Sequence, residues 1–159
     1  MEDKTPADGS IEAFRAAYWE SDELYTLCAR FCGLSDTEYW VLLMIRDGAD
    51  MQSTISDWLR VSRQTVNSAC KLLVKKGLVR METPEENLRV RRIRLTERGR
   101  ALMQEKVERV FELEEATWLT MREEERVLLT QLTRKYNALM KSALLKTEEQ
   151  SSEDAWPQP

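Results

Sequence analysis

The sequence predicts a mostly α fold of the α+β kind, in which one short β-hairpin interrupts a succession of helices. Gly and Pro are few, five and four in 159 residues, while Leu, Glu, Arg, Ala and Lys, which lose little freedom in a helix, abound. Apolar residues recur at helical spacing along most of the chain, and only the stretch 78–95 reads as paired strands. With 42% hydrophobic residues, a chain of this length can bury the core of one ordinary domain.

The elements follow in order. From Ser10, the residues Ile11, Phe14, Ala17, Tyr18, Leu24, Leu27, Cys28 and Phe31 fall near helical spacing. They predict a first helix to about Cys32, ended by Gly33. Ser35 and Glu38, three apart, form a capping-box pair opening a second helix that stops near Asp47-Gly48. Ile55, Trp58 and Leu59 mark a short third helix over 51–59, after which Val61-Ser62 supply a turn and a cap. The fourth helix, Arg63 to Lys76, places Val66, Ala69, Cys70 and Leu73 on one face, and Gly77 terminates it. Leu78–Thr83 and Val90–Leu95 are the expected strands, joined by Pro84–Asn87. Thr96 caps a long helix to about Leu119, and Thr120 or a neighbour caps another to about Leu145. Two helices about a tight turn, followed by a hairpin, make a winged helix-turn-helix. The expected organisation is a disordered N-terminus 1–9, an N-terminal helix 10–33, the winged helix-turn-helix 34–100, C-terminal helices 101–146, and a disordered tail 147–159.

Several function classes are excluded by what is missing. No apolar run approaches twenty residues and the first nine residues are polar and acidic, so neither a membrane span nor a signal peptide is expected, and the protein is placed in the cytoplasm. Three Cys do not make a disulfide framework, and the lack of His removes mixed Cys/His zinc sites, so no metal or other cofactor is expected. No Gly-rich phosphate loop, nucleophile elbow or set-apart carboxylate pair is present, and an enzyme is discounted. The net charge of −4 conceals a division. Between Arg60 and Arg100 lie twelve Lys/Arg and four acids, out of 24 and 28 in the chain. A basic middle in an acidic body is the layout of a nucleic-acid reader carried on a separate scaffold.

The second helix of a helix-turn-helix enters the major groove, where Arg pairs with guanine and Asn or Gln with adenine. Arg63, Gln64, Thr65, Asn67, Ser68 and Lys71 are the expected major-groove residues. Alone, they are equally the polar face of an ordinary helix. Asn87, Arg89, Arg91 and Arg92 are the expected wing contacts, to phosphates or an adjacent minor groove. Alone, such a strand is a charged edge that resists aggregation. Their joint occurrence favours double-stranded DNA.

On four segments the sequence resembles the MarR family of bacterial transcriptional regulators. These are 34–42 (LSDTEYWVL), 62–67 (SRQTVN), 75–79 (KKGLV) and 95–99 (LTERG), the last matching the family's Leu-Thr-x-x-Gly. One departure is Asn87-Leu88-Arg89 where family wings carry Asp-x-Arg. A neutral Asn cannot form the ion pair that would hold the Arg. The resemblance implies a homodimer built from the first and last helices. Phe14, Tyr18 and Leu24, with Leu128, Leu132, Tyr136, Leu139, Met140 and Leu144, supply apolar stripes for it, although a monomeric bundle could bury the same stripes. A dimer spaces its recognition helices about one DNA turn, ~34 Å, apart and selects a pseudo-palindrome.

The resemblance also implies release from DNA by a small aromatic or phenolic effector, or by oxidation of a Cys. Tyr18, Tyr25, Tyr39 and Trp40 are the expected effector-pocket residues, with plain core packing as the commoner role of such aromatics. Cys28 and Cys32 are the expected redox thiols; four apart on one helix, they are poorly placed to bridge each other. The function read from the sequence is thus a DNA-binding transcriptional regulator, a repressor acting as a homodimer. The alternative is a winged-helix protein-interaction module whose basic wing serves an acidic protein partner. RNA binding is disfavoured because the hairpin lacks stacking aromatics.

Overall fold

The structure is a computed structural model that describes residues 9–83 and 91–153. Among these, the elements are α1 (Ile11–Phe31), α2 (Asp36–Arg46), α3 (Gln52–Leu59), α4 (Arg63–Lys75), β1 (Val79–Glu82), β2 (Arg92–Leu95), α5 (Glu97–Leu102), a π-helical turn (Met103–Val107), α6 (Glu108–Thr120) and α7 (Glu123–Glu153). This is the mostly helical winged-helix fold expected, with one two-stranded antiparallel sheet. No described helix is long and apolar enough to cross a membrane. The chain divides into two compact units, 1–111 and 112–159.

Hydroxyl caps begin α1, α2, α4 and α5, whereas α3 starts at Met51 without a side-chain cap. Ser10 Oγ accepts the Ala13 N–H at 3.1 Å and Ser62 Oγ accepts the Thr65 N–H at 3.0 Å. The Ser35–Glu38 capping box closes in both directions, with the Ser35 N–H on Glu38 Oε2 at 2.8 Å. The ends of α1, α2 and α4 share one device. Gly33, Gly48 and Gly77 adopt φ of 72°, 102° and 70°, and the next residue donates back to the last turn, as Leu78 N–H does to Leu73 O at 2.9 Å. Leu34, Ala49 and Leu78, which follow these glycines, are buried. The end of α3 makes the same left-handed turn without glycine, using Arg60 at φ 54°. A Cβ in that region costs about 1–2 kcal/mol.

The core joins Leu42 of α2, Ile55 of α3, Val66 and Leu73 of α4, Ile93 of β2 and Val107 of the π turn, all fully buried. The hairpin pairs Val79 with Leu95, Arg80 with Arg94, Met81 with Ile93 and Glu82 with Arg92. Alternation then turns Val79 and Ile93 into the core and leaves the arginines outside.

Two polar ties hold α4 and the hairpin in place. Thr96 caps α5 by accepting the Gly99 N–H at 3.0 Å, while its own hydroxyl donates to Gly77 O at 2.6 Å and its N–H to Leu78 O at 3.0 Å. Gly99 sits so close that a Cβ there would overlap the Leu78 carbonyl. The second tie is Glu38, only 2% exposed, whose Oε2 accepts from Lys76 Nζ at 2.8 Å. Lys76 also donates to Gly33 O at 3.2 Å, so one ammonium joins the ends of α1 and α4 to the start of α2. Burial pushes the Glu38 carboxyl up, but the bonds from Lys76 and Ser35 outweigh it and hold it below the usual range.

Four details depart from the expected boundaries. β1 starts at Val79 rather than Leu78, because the Leu78 N–H closes α4 instead of joining the ladder, and β2 starts at Arg92, with Val90 outside the described residues. The helix from Thr96 is interrupted by the π turn, which the apolar pattern does not mark. Thr120 does not cap the last helix: its hydroxyl donates to Thr117 O at 2.6 Å, and Glu125 instead accepts the Arg122 N–H at 2.9 Å. Finally, α7 runs to Glu153, past Leu145 and into the stretch expected to be disordered; expectations for residues 1–8 and 154–159 lie outside the described residues.

Gly99→Ala should lower stability by about 2–3 kcal/mol through the clash with Leu78, although helix propensity alone favours Ala by about 1 kcal/mol. Urea titration measures it, and a stabilised variant would contradict the packing described. Lys76→Met should cost about 2–3 kcal/mol at neutral pH by leaving a buried carboxylate unpaired, discounted because Lys76 is partly exposed. In the wild type, the stabilisation tied to Glu38 is present above its unfolded-state pKa and is lost as pH falls through its depressed folded pKa. In the variant, burial is less opposed and the carboxyl protonates more readily. The gap between the two proteins should therefore narrow towards pH 4, and a gap that widened there would contradict the assignment.

Candidate nucleic-acid interface

Helix α4 owes its two faces to heptad-like spacing and its position to Val66, Ala69, Cys70 and Leu73, all buried against α2 and α3. Arg63, Gln64, Thr65, Ser68 and Lys71 are consequently exposed, and Asn67 is half-buried beside them. Arg63 and Lys71 form no ion pair with any described residue. Two of the polar groups are already engaged. The Thr65 hydroxyl lies 2.7 Å from Ser62 Oγ at the cap, and the Asn67 carbonyl oxygen accepts from Gln52 Nε2 at 3.5 Å. The second contact engages the Asn67 carbonyl oxygen and leaves its amide N–H groups without a bond to any described residue.

The base of the wing is held by Asp50, in the loop between α2 and α3. Its carbonyl accepts the Ile93 N–H at 2.7 Å, while its carboxylate pairs with Arg92 and lies 3.6 Å from Arg94. Glu82 pairs with Arg80 at 2.6 Å and with Arg94 at 3.8 Å, between two arginines that the register sets opposite each other. Arg92 is thus tied within the protein, whereas Arg91, just before β2, is exposed. Asn87 and Arg89 lie outside the described residues. Sequence reading missed Asp50, Gln52 and Glu82; Glu82 lay two residues from Arg80 on one strand face, but nothing local pointed Asp50 at a strand some forty residues away.

The expected effector residues fall into two groups. Tyr25 and Trp40 meet at 5.2 Å between ring centroids and Tyr39 meets Trp40 at 6.0 Å. Tyr39 is 2% exposed and part of the core, while Tyr25 is 42% exposed. Tyr18 stands apart, 67% exposed, with its ring 6.4 Å from Phe14. Cys28, Cys32 and Cys70 are all free of disulfides. Burial pushes the Cys32 thiol up, against the opposing charge of Lys106, and burial likewise raises Cys70 despite a bond from Gln52. Raised values keep these two thiols protonated and slow to oxidise.

Comparison with known proteins gives a consistent result. Residues 33–89 match the model of the MarR family. No curated protein matches the chain. Among solved structures, a MarR/EmrR family transcriptional regulator from Acinetobacter sp. ADP1 is similar at 21% identity and a TM-score of 0.65, covering 82% of this chain and 96% of that one. BpsR of Bordetella bronchiseptica, whose DNA binding is regulated by 6-hydroxynicotinic acid, is similar at 22% identity and 0.63, covering 84% and 96%. A variant of S. aureus MepR bound to an oligodeoxyribonucleotide is similar at 21% identity and 0.53, covering 80% and 96%. These likenesses establish the fold.

Asp50→Asn should cost less than about 1 kcal/mol, since both arginine partners are about half exposed and its carbonyl is unaffected. Hydrogen exchange would check this: the Ile93 amide should remain slow, and loss of its protection would mean that the side chain, not the backbone, anchors the wing.

Proposed function

We propose that this chain, whose residues 33–89 match the model of the MarR family, is a member of that family and a sequence-specific, double-stranded DNA-binding transcriptional regulator. It acts as a cytoplasmic repressor, as a homodimer on a pseudo-palindromic operator. The observation that carries the reading is the outer face of α4, where Arg63, Gln64, Ser68 and Lys71 are exposed around the half-buried Asn67, whose amide N–H groups have no partner among the described residues. Such a face is built to meet base edges, and an interface for a protein partner would more often present aromatics or Leu. Arg91, exposed just before β2, is a wing contact in this reading, as are Asn87 and Arg89, which lie outside the described residues. Arg92 contributes only by leaving Asp50, so its share is smaller.

Dimerisation accounts for apolar surface that the single chain leaves in water. On α7, Leu128, Leu132, Tyr136, Leu139, Met140 and Leu144 are 42–63% exposed, and on α1 Phe14, Leu24 and Leu27 are similarly bare. A stripe of that length is costly unless covered. For release, the half-exposed Tyr25–Trp40 pair offers a stacking surface to a planar aromatic acid, the class that regulates BpsR.

The test is selection and sequencing of genomic duplex fragments retained by the protein at two salt concentrations. A recovered pseudo-palindrome with steep salt dependence is the expected result; no retention even at low salt would favour the protein-interaction module instead. On the recovered site, Arg63→Ala should cost about 1–3 kcal/mol and relax base preference, whereas Arg91→Ala should weaken all duplexes alike and reduce the salt slope by about 1.

A further inference from the structure

We infer that Arg60, in the turn between α3 and α4, is a phosphate-binding residue of the DNA interface, kept in a left-handed backbone conformation that the fold itself would give to glycine. The inference rests on the DNA-binding reading and extends it to a residue outside the outer face of α4 and the wing.

Among the described residues, four helix ends or loops of the first unit use positive φ, and three of them use glycine. Arg60 is the exception among the described residues. Its backbone N–H closes α3 on Ser56 O, and the Ser56 hydroxyl donates to Val61 O at 2.7 Å. Glycine would allow both bonds equally, with less strain. The Arg60 side chain is exposed, and it makes no hydrogen bond or ion pair with any described residue. Nothing within the described chain therefore compensates the strain. A strained residue that the fold does not need points to a requirement outside it.

The position says what that requirement is. Arg60 lies two residues before Ser62, the cap of α4, and three before Arg63. In a helix-turn-helix, the start of the second helix enters the major groove while the first crosses the backbone, so the turn between them travels close to the sugar-phosphate chain. An unpaired guanidinium there meets phosphate oxygens in bidentate geometry and releases a counterion. It carries no base information, which gives it a signature distinct from that of Arg63.

Two variants separate the roles. Arg60→Gly removes both charge and strain; Arg60→Gln removes the charge and keeps a Cβ in the left-handed region. Both should bind the selected operator and a random duplex about three- to ten-fold more weakly, with a salt slope shallower by about 0.9 and an unchanged preference between the two DNAs. Arg60→Gly should in addition melt higher, by about 2–6 °C, while Arg60→Gln should not. A residue of structural use only would move the melting temperature and leave the salt slope alone. Wild-type affinity and slope in Arg60→Gly, in a protein that does select an operator, would overturn the inference while leaving the DNA-binding reading intact. Failure of the wild type to retain any duplex would overturn both.

Discussion

The carbonyl of Leu78 is the point on which the placement of α4 against the hairpin depends. It accepts the Thr96 N–H, lies 3.2 Å from the Thr96 hydroxyl, and is covered by Gly99 with no room for a side chain. Through that contact, the end of α4, the start of β1 and the start of α5 become one rigid corner. A recognition helix can read bases only if its axis is fixed relative to its wing, since displacements near 1 Å are enough to misalign bidentate hydrogen bonds. The sequence element Leu95-Thr96-Glu97-Arg98-Gly99 is in this sense a joint: Thr supplies the bonds and Gly the close approach.

Charge shows a second layer of organisation. The segment from Arg60 to Arg100 is strongly basic by count, yet Lys76, Arg80, Arg92 and Arg94 are each paired with an acid from within the fold. Two of those acids, Glu38 and Asp50, lie outside the segment. The cations without an ion pair to any described residue include Arg60, Arg63, Lys71 and Arg91, at the start and outer face of α4 and beside β2. Pairing of this kind lowers indiscriminate attraction to polyanions and concentrates the remaining charge where a duplex would lie.

Much of this was legible in the chain because it is local. The caps of α1, α2, α4 and α5, the capping box, the glycine terminators and the two faces of α4 follow from residues within four positions of one another, and those readings match the structure closely. The helix end beyond Leu145 was misread because polar composition resembles a tail even where a helix continues. The π turn left no mark because a single extra residue in a helical turn hardly alters the apolar pattern.

The sequence by itself determined the mostly helical class, the order of helices and hairpin, and which residues of α4 point away from the core, since 3.6- and 2-residue periods are properties of the backbone. Only the tertiary structure decided which of those polar residues are uncommitted. Asp50 reaches Arg92 and Gln52 reaches Asn67 because folding brings distant segments within hydrogen-bond range, and a contact set by packing in three dimensions leaves no spacing in the chain to be read.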